Sequence, residues 1–512
     1  MQHEMLLGGL GLLAAIVVLV AVFRQFHLPP ILAYLSVGII AGPHGAGLLA
    51  ESATIHLLAE LGVMFLMFLL GLEFSLPRLI AARVAVFGGG GAQVLLTGGI
   101  AAGIAALLGI DAITALFVGG ALAMSSTAIT LKQLAEQMEV NTRHGQLVIN
   151  ILLFQDLATL PLLVALPIVA AGSGDLGTAL LWATLKAGLV FGIIYFFGVY
   201  LMRPLIHWVA QGHSAELLML TTLLLMLSAA LLASIAGLSL PLGAFLAGMV
   251  IGETEFKHHI EADIRPFQDV LLGLFFITVG MQFVPDILHS HGVWVIGLLL
   301  LLILLKAVII IPIGVRLGQH PGVALRAGIS LAQSGEFGLL LLTQIAGHKL
   351  LTEIQSQIIL ATMVLSMGLA PILIRANGAL AKKLDFHGYR SNLAHQTDRI
   401  AVATRGLDGH IVLCGYGRAG QSLGHFLELE GVPFVALEMD SLRVRQAQAA
   451  GERVLYGDAT RAVLLQAAGL ERAQALVITL HPLEAAIKVA QVARQLRPDL
   501  IILAQALDIH EW

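Results

Sequence analysis

Thirteen long apolar stretches follow one another through the first 376 residues, and they constrain the fold of this chain more than any other feature. Helices of this length and polarity span the hydrocarbon core of a bilayer. Because only 12% of the residues are charged and 58% are apolar, a purely soluble protein is excluded. The 55 glycines favour closely packed helices in lipid over a β-barrel. We place the spans at about 6–23, 31–48, 57–73, 86–108, 113–131, 146–170, 179–202, 217–236, 239–252, 268–283, 293–315, 324–347 and 354–376.

Lysine and arginine residues gather in the loops that follow odd-numbered spans. These ten residues are Arg24, Arg78, Arg83, Lys132, Arg143, Arg203, Lys257, Arg265, Arg316 and Arg326. The loops after even-numbered spans hold only Lys349. Because basic loops stay in the cytoplasm, we expect the N-terminus on the outside and the C-terminal part on the inside.

The two halves of the membrane region repeat one another. Four pairs of residues match at a spacing of 209 or 210: Gly42 with Gly252, Gly71 with Gly280, Ser125 with Ser334, and Pro161 with Pro371. Six spans precede and six follow the seventh, so the second repeat enters the membrane in the opposite orientation. Inverted repeats of this kind are the architecture of secondary transporters, whose site lies near the midplane where the halves meet.

Asp156 lies well inside the sixth span, where the repeat loses its symmetry, because a shift of 210 residues reaches Ser366. A carboxylate in hydrocarbon is unfavourable unless it is paired, so its presence requires a partner or a function. Burial favours its protonated form and an approaching cation favours its ionised form, which suits the exchange of a proton for a metal cation. The alternative is a structural aspartate that is hydrogen-bonded to a neighbouring helix.

The other polar groups of the membrane region gather at matching positions of the two repeats. They are Ser125, Ser126 and Thr127 in the fifth span and Gln333, Ser334, Gly335 and Glu336 in the twelfth. Hydroxyl groups can bond to the i−4 carbonyl of their own helix, but the matching positions favour broken helices that cross at a cation site. Hydroxyls and freed carbonyls are hard oxygen ligands, which suit Na⁺ or K⁺. Glu336 is then either a coupling group or the fixed partner of a basic side chain.

Lys306 lies near the middle of the eleventh span and is the candidate for that basic side chain. It can form an ion pair with Asp156 or Glu336 that a bound cation releases. The alternative is that the side chain extends to the membrane interface and places its ammonium group there.

The composition changes near residue 380, where charged and polar residues replace the apolar spans. We divide the chain into a transmembrane domain at 1–378, a cytoplasmic linker at 379–409 and a nucleotide-binding domain at 410–512. In the last of these, five short apolar runs alternate with helical segments, which predicts a parallel α/β sheet. The runs are His410–Cys414, Pro433–Leu437, Arg453–Tyr456, Ala475–Leu480 and Leu500–Ala504.

The first of these runs is followed by the sequence GYGRAG. Gly415, Gly417 and Gly420 open a helix, and Glu438 lies 18 residues after the last of them. A strand, GxGxxG, a helix and an acid at this spacing form a dinucleotide-binding fingerprint. We expect phosphate at the helix N-terminus near Arg418 and ribose hydroxyls at Glu438. The alternative is a Rossmann unit that has lost its ligand and serves dimerisation.

Together these residues resemble the bacterial monovalent cation/proton antiporter-2 (CPA2) family, specifically the Kef-type potassium efflux systems with a C-terminal RCK (KTN) domain. The resemblance covers essentially the whole chain through GLEF at 71–74, SSTAI at 125–129, FQD at 154–156, LGAFLAG at 242–248, LLGLFFITVGM at 271–281, GEF at 335–337, GYGRAG at 415–420 and YGDAT at 456–460. It implies an α-helical membrane protein of NhaA/NapA-like antiporter fold, with thirteen transmembrane helices in inverted six-helix repeats and a Rossmann-like RCK N-terminal domain. It also implies a homodimer in the bacterial inner membrane, where the orientation predicted from the basic loops makes the N-terminus periplasmic.

The resemblance also assigns roles to single residues. Asp156 is the exchanging carboxylate, and Gln155, in place of the first of two adjacent acids in electrogenic relatives, implies electroneutral exchange. The crossing elements fall on Ser125, Ser126, Thr127, Ser334 and Glu336. Lys306, which is predicted from its position in the eleventh span and not from the resemblance, completes the predicted ion site. The nucleotide site falls on Gly415, Gly417, Arg418, Gly420, Glu438, Asp458 and Thr460, with AMP or NAD(H) as the implied occupant.

The resulting hypothesis is a potassium:proton antiporter that works by alternating access and is regulated by nucleotide. Na⁺/H⁺ exchange and a nucleotide-gated, channel-like K⁺ efflux pathway are the alternatives. A membrane-tethered NAD-dependent dehydrogenase is disfavoured because no catalytic His, Asp or Lys set follows the fingerprint, so we do not expect an enzyme. The formal net charge of −4 gives no sign of a nucleic-acid partner, and a cytoplasmic ancillary oxidoreductase stays open as a partner. Kef systems continue past the fifth strand into the region that completes their glutathione pocket, so the resemblance does not carry glutathione gating over to this chain, and whether the chain is truncated at Trp512 stays open.

Overall fold

The computed structural model describes residues 2–26, 28–49, 53–73, 82–137, 139–140, 142–170, 215–235, 239–383, 397–480 and 483–505, with a few residues between 192 and 209. The chain divides into two compact units. The first unit comprises Met1–Gln133, Leu147–Gln319 and Ala324–Asn377. The second unit comprises Leu134–Gln146, His320–Val323 and Gly378–Trp512.

Helices make up the described part of the membrane region. A backbone in lipid must satisfy its own hydrogen bonds, and an apolar helix does so within a single segment. The helices are α1 (Gln2–Gln25), α2 (Pro30–Ala41), α3 (Ala53–Glu73), α4 (Gly91–Leu107, preceded by a π-helical segment Val84–Gly90), α5 (Ala112–Ala123), α6 (Thr127–Glu136), α7 (Arg143–Ala170), α8 (Ala215–Ile235), α9 (Leu240–Gly252), α10 (Lys257–Met281), α11 (Gly292–Arg316), α12 (Pro321–Ser330), α13 (Glu336–Gly347) and α14 (Glu353–Lys383).

Seven helical segments of the described residues are long and apolar enough to cross a membrane. They are Val84–Leu107, Ala112–Glu136, Arg143–Pro167, Glu216–Ile235, Lys257–Met281, Gly292–Arg316 and Glu353–Ala381. Shorter apolar helices accompany them, among them α2 and α9. The seventh predicted span, at 179–202, lies largely outside the described residues, so the count of thirteen stays a prediction.

Helix α10 begins at Lys257, whereas the sequence analysis starts the corresponding span at residue 268. The additional turns are amphipathic. Ile260 and Ile264, four residues apart, are buried on one face, while His258 is almost fully exposed. A hydropathy pattern finds only the fully apolar part of such a helix, because the charged face lowers the average.

Glycines allow close approach between α3 and α9. A Cβ atom at Gly71 would overlap the carbonyl oxygen of Phe245, and one at Gly248 would overlap the carbonyl oxygen of Phe68. Small residues at such contacts let two backbones meet, which is how membrane helices gain packing energy without a hydrophobic driving force.

Two helices are interrupted where the polar segments lie. Residues 124–126 separate α5 from α6, and residues 331–335 separate α12 from α13. Ser126 is the N-cap of α6, because its Oγ accepts the N–H of Ile129 at 3.2 Å. Gly335 is extended before α13, with φ −130° and ψ 174°. The fifth and twelfth predicted spans are therefore each two helices joined by an unwound connection.

The second unit is built on a five-stranded parallel sheet in the order β3-β2-β1-β4-β5. The five predicted strands are confirmed to within two residues at each end. Its elements are β1 (Ile411–Cys414), α15 (Arg418–Leu429), β2 (Phe434–Glu438), α16 (Ser441–Ala449), β3 (Val454–Tyr456), α17 (Ala462–Ala467), β4 (Ala475–Ile478), α18 (Leu483–Leu496) and β5 (Ile501–Ala504). The strand order reverses at β1 between β2 and β4, which is where ligands bind in open sheets of this kind.

Both faces of this sheet are covered by apolar side chains. Val412 and Cys414 pack on one face and Leu413 on the other. Ile400, from the predicted linker, is buried on the first of these faces. Burial raises the pKa of the Cys414 thiol far above its usual range, so this side chain packs as a neutral group.

Candidate functional site

The two unwound connections cross with their backbones in contact. A Cβ atom at Gly335 would overlap the carbonyl group of Ser125 and would lie 2.7 Å from the backbone nitrogen of Ser126. One turn into α13, a Cβ atom at Gly338 would overlap the carbonyl oxygen of Ala121. The polar segments that the sequence places in two distant spans therefore form one site.

Lys306 on α11 is completely buried and joins the two connections. Its Nζ donates hydrogen bonds to the carbonyl oxygens of Met124 and Gln333, both at 2.7 Å, and to Oγ of Ser125 at 3.0 Å. Met124 directly follows α5, and Gln333 follows α12 by three residues. The C-terminal end of a helix carries partial negative charge, so the ammonium group of Lys306 stabilises the ends of α5 and α12.

The ion pair suggested for Lys306 is not formed within the described residues. Three uncharged oxygens take its three hydrogen-bond donors, which is the full capacity of an ammonium group. Extension to the membrane interface is also wrong, since the side chain is fully buried. The ammonium group lies at helix C-termini, whereas Asp156 and Glu336 face the N-terminal end of α6.

Glu336, the first residue of α13, is buried and places its carboxylate at the start of α6. Its Oε1 accepts the backbone N–H of Ala128 at 3.4 Å, and within the described residues its Oε2 has no hydrogen-bond partner. A carboxylate at a helix N-terminus meets the partial positive charge of the unpaired N–H groups. Glu336 thereby mirrors Lys306 at the opposite helix ends.

Asp156 lies near the middle of α7 and faces the first residue of α6. The Oγ1 of Thr127 donates to Oδ1 of Asp156 at 3.3 Å. Asp156 is 8% exposed, Thr127 is half-buried and Ala128 is exposed. The carboxylate therefore lies deep in the unit and close to an open part of the crossing.

Gln155 binds the first connection through both ends of its amide. Its Oε1 accepts the N–H of Ser125 at 2.7 Å, and its Nε2 donates to Oε1 of Gln93 at 2.7 Å. Gln93, on α4, in turn donates to the carbonyl oxygen of Ala123 at 3.1 Å. The sequence analysis missed Gln93, although an amide side chain within the otherwise apolar stretch 86–108 was an available signal.

The hydroxyl of Ser125 has no capacity left. It donates to the carbonyl oxygen of Leu331 at 2.8 Å and accepts from Lys306 and from Nε2 of Gln155 at 3.4 Å. One donor and two acceptor positions are all that a hydroxyl offers. Ser125 therefore ties the two connections together in this conformation, and Ser126 serves as the cap of α6.

Ser334 lies at the matching position of the second connection. Its backbone N–H donates to Oγ of Ser366 on α14 at 3.0 Å. Its own buried Oγ has no partner among the described residues. Of the predicted ion-site residues, the crossing brings all eight into one region, and it leaves unfilled acceptor capacity on Glu336 and Ser334.

In the second unit, Glu438 organises the turn after β1. Its Oε2 accepts the N–H of Tyr416 at 2.6 Å, and its Oε1 accepts the N–H groups of Met439 and Asp440 at 2.8 Å. A carboxylate offers about four acceptor positions, so about one remains on Oε2. Glu438 thus joins the carboxyl ends of β1 and β2 and keeps room for one more donor.

The glycines of the turn have separate functions. Gly415 has a backbone φ of +97°, which residues other than glycine rarely adopt. A Cβ atom at Gly420 would overlap the carbonyl oxygen of Gly415, so this glycine permits close packing. A Cβ atom at Gly417 would meet only Nη1 of Arg443, at 3.7 Å. This open position at the N-terminal end of α15, beside Arg418, fits a phosphate group.

Asp458 and Thr460 lie after β3 and bond to each other. Oδ1 of Asp458 accepts the backbone N–H of Thr460 at 3.0 Å and its hydroxyl at 2.6 Å. Oδ2 of Asp458 lies 3.3 Å from Nε of Arg461. In this geometry the pair shapes the loop beside the Glu438 turn.

Arg443 is a basic residue at this site that the sequence analysis did not identify. Its Nε lies 3.3 Å from Oδ2 of Asp440, and its Nη1 lies 3.7 Å from Oε2 of Glu438. A basic residue five positions after the fingerprint acid was the available signal. Arg443 supplies positive charge beside the open position at Gly417.

Two family models match the chain. Residues 11–376 match the model described as sodium/hydrogen exchanger, transmembrane. Residues 411–511 match the TrkA-N domain. The α/β unit predicted after the membrane region is therefore confirmed as a Rossmann-like domain of this type.

Named relatives extend over nearly the whole chain. A putative K(+) efflux antiporter, KefB, of Alkalimonas amylolytica is 40% identical over 510 residues, which cover 98% of this chain and 77% of that protein. The chloroplastic K(+) efflux antiporter 1 of Arabidopsis thaliana is 35% identical over 519 residues, which cover 99% of this chain and 43% of that protein. The chain thus spans less than half the length of the plant relative.

Among solved structures, the sodium proton antiporter MjNhaP1 from Methanocaldococcus jannaschii has a similar fold. The TM-score is 0.56 and the identity 18%, over 74% of this chain and 99% of that one. The Kef-type resemblance found in the motifs is confirmed by the relatives. Because the exchanger model covers most of its length, the chain belongs to the family of transmembrane sodium/hydrogen exchangers.

Proposed function

We propose that this protein exchanges K⁺ for H⁺ across the membrane, and that the two ions compete for Asp156. The observation that carries the proposal is the set of ionisable side chains buried at the crossing, one basic, Lys306, and two acidic, Asp156 and Glu336. When all three are ionised, one negative charge is left over, and one proton or one monovalent cation neutralises it. Two relatives that match nearly the whole chain are named K(+) efflux antiporters.

Of these three side chains, Asp156 is the one whose charge changes during transport, because helix ends stabilise the charges of the other two. Lys306 is held by two carbonyl groups at helix C-termini, and Glu336 faces a helix N-terminus. Both charges are stabilised in place by partial charges of opposite sign. A charged group is unfavourable in the bilayer, so the core changes between inward-open and outward-open states when Asp156 is protonated or cation-bound. One charge then moves each way, which makes the exchange electroneutral.

The proposal includes thirteen spans arranged as inverted six-helix repeats. In the first connection, the N–H of Ser125 is held by Gln155 of α7. In the second, the N–H of Ser334 is held by Ser366 of α14. The two nitrogens are 209 residues apart, which is the spacing of the sequence repeat, whereas Gln155 and Ser366 are 211 apart, because Ser366 matches the neighbouring Asp156.

We further propose a homodimer in the bacterial inner membrane, with a periplasmic N-terminus and a cytoplasmic nucleotide-binding domain. The placement of basic residues supports this orientation. AMP or NAD(H) would bring phosphate to Gly417 and Arg418 at the N-terminal end of α15, and its ribose would donate to Oε2 of Glu438. Binding would regulate transport rather than drive a reaction. A cytoplasmic oxidoreductase partner stays a prediction of the resemblance.

The proposal is tested by K⁺-driven proton flux in proteoliposomes that contain purified protein and a pH dye. We expect Asp156→Asn to reduce exchange to the level of empty vesicles, because an amide neither binds a proton reversibly nor balances a cation. Asp111→Asn is the matched control, since Asp111 is an exposed N-cap and asparagine caps a helix equally well. Full exchange in Asp156→Asn would refute the role of this carboxylate.

The same vesicles separate the alternatives. Antiport predicts proton movement of opposite direction and equal size to the K⁺ flux, whereas a channel-like pathway conducts K⁺ without it. Parallel assays with Na⁺ and Rb⁺ establish the transported cation. Addition of AMP to the side that carries the second unit tests the regulatory site.

A further inference from the structure

A large apolar cavity lies between four membrane-spanning segments of the first unit. Its volume is about 460 Å³, and it is bounded by α4, α5, α11 and α14. Apart from His291, Trp294 and Gln355, the lining side chains carry no polar atom. None of its lining residues belongs to the polar crossing or to the nucleotide turn.

Polarity in the cavity changes from one end to the other. His291 immediately precedes α11 and Gln355 lies in the first turn of α14, so both polar groups are at helix ends. Leu302 and Leu305, about three turns further along α11, line the inner part. The cavity is therefore shaped for an elongated molecule that is polar at one end and apolar along its length.

The cavity opens on the outer surface of these helices. Trp294 is 59% exposed, Leu108 56% and Leu301 39% at its edge. All four bounding helices belong to the segments long and apolar enough to cross a membrane, so the opening is continuous with the hydrocarbon of the bilayer. Water needs several polar partners to occupy a cavity, and this wall offers them only at one end. An empty apolar space would lose the dispersion contacts of its walls.

We propose that one acyl chain of a membrane phospholipid occupies this cavity, with the headgroup beside His291, Gln355 and the indole of Trp294. Trp side chains favour the membrane interface, because most of the indole ring is apolar and its N–H group is polar. The exposed apolar rim on helices of membrane-spanning length and the polarity gradient are the two observations that favour a lipid as the occupant.

The bound chain would support the ion site from outside. Leu305 precedes Lys306 on α11, and Leu122 lies two residues before Met124, whose carbonyl oxygen accepts from Lys306 at 2.7 Å. An acyl chain between these leucines fixes α5 and α11 at the spacing that this hydrogen bond requires. Removal of the lipid should therefore slow transport without loss of the carboxylate that binds the ion.

The test uses the fluorescence of Trp294 in a protein whose other tryptophans, Trp182, Trp208 and Trp512, are changed to Phe. The full-length protein in detergent is titrated with a phospholipid that carries bromine on its acyl chains, which quenches a tryptophan in contact. We expect quenching that saturates at one bound lipid per protomer. Native mass spectrometry should show the same single lipid retained.

Two leucine substitutions make the test specific. Gly297 lines the cavity and a Cβ atom there meets no heavy atom within 4 Å, so the backbone position of Gly297→Leu tolerates a side chain that occupies space in the site. Gly103 on α4 is equally open but does not line the cavity, so Gly103→Leu is the control. We expect at least about tenfold weaker lipid binding in Gly297→Leu, since several methylene contacts are lost, and unchanged binding in Gly103→Leu.

The proposal is overturned if quenching rises in proportion to lipid without saturation, or if both leucine variants give the curve of the parent protein. It is also overturned if Trp294 is not quenched at all, as expected when a second copy of the chain covers this face. Proton exchange measured on the same variants keeps this result separate from the ion mechanism, because Gly297→Leu retains Asp156 and is expected to exchange more slowly with the same pH dependence.

Discussion

At the scale of single residues, the crossing pairs each fixed charge with a helix end of opposite partial charge. Lys306 lies at the C-terminal ends of α5 and α12, and Glu336 lies at the N-terminal end of α6. The sequence identified both as buried charges, because charged residues are rare inside apolar spans. It gave the wrong partner for Lys306, because the true partners are backbone carbonyls that become available only where the helices unwind.

Replacement of Lys306 by Met tests this account of the lysine. Methionine is apolar and of similar length, so it removes the donors and leaves the carbonyl groups of Met124 and Gln333 buried without partners. Each unsatisfied group is expected to destabilise the protein by about 1–3 kcal/mol. We therefore expect a lower thermal unfolding temperature in detergent. Lys488→Met, at an exposed position of α18, should leave the temperature unchanged. Equal stability of the two variants would mean that Lys306 does not hold the crossing.

At the scale of elements, the repeat in the sequence located the two interruptions, because polar residues recur at equivalent positions of both halves. It did not locate Gln93, which binds Gln155 and Ala123 from a third helix. Contacts between segments far apart in sequence depend on how the helices pack, and a single sequence does not encode that packing in any local pattern. The early start of α10 was missed for a different reason, since its charged face hides a buried stripe.

The close contact of the two connections makes a sharp prediction for Gly335. A methyl group there would overlap the Ser125 carbonyl, although the backbone angles of Gly335 suit any residue, so the effect of Gly335→Ala is purely steric. We expect a destabilisation of about 1–3 kcal/mol and a large loss of exchange, because the connections must separate. Gly347→Ala, at the other end of α13 and with open space around it, is the control. Normal exchange in both variants would show that the backbones are not in contact during transport.

At the scale of the whole molecule, the two units differ in how far the sequence predicts them. The sheet follows from short apolar runs and the glycine turn, since each strand is a local pattern. The second unit also contains Leu134–Gln146, which the sequence analysis assigned to the membrane domain. Within this unit the guanidinium of Arg143 lies 4.5 Å from the centre of the Tyr456 ring. No local sequence pattern predicts a contact between two residues that are more than 300 positions apart.

The contact between Arg143 and Tyr456 links the predicted nucleotide loop to the helix that carries Asp156. Tyr456 directly precedes the loop with Asp458 and Thr460, and Arg143 begins α7, thirteen residues or about 20 Å along the helix from Asp156. Burial raises the pKa of the Tyr456 phenol, and the charge of Arg143 opposes that shift only in part. The phenol is therefore neutral at pH 7 and the contact is a cation–π interaction, which typically contributes about 0.5–2 kcal/mol.

We expect Arg143→Ala to weaken the response of transport to nucleotide while basal exchange persists, because the substitution removes this link and leaves Asp156 in place. The measurement is the ratio of proton flux with and without AMP in proteoliposomes, and the ratio should move toward one. Arg83→Ala, which removes an exposed arginine of the first unit, should keep the ratio of the parent protein. An unchanged ratio in Arg143→Ala, together with normal AMP binding, would show that the nucleotide signal reaches α7 by another route. If AMP binding itself is lost, the arginine supports the fold of the loop instead of transmitting its state.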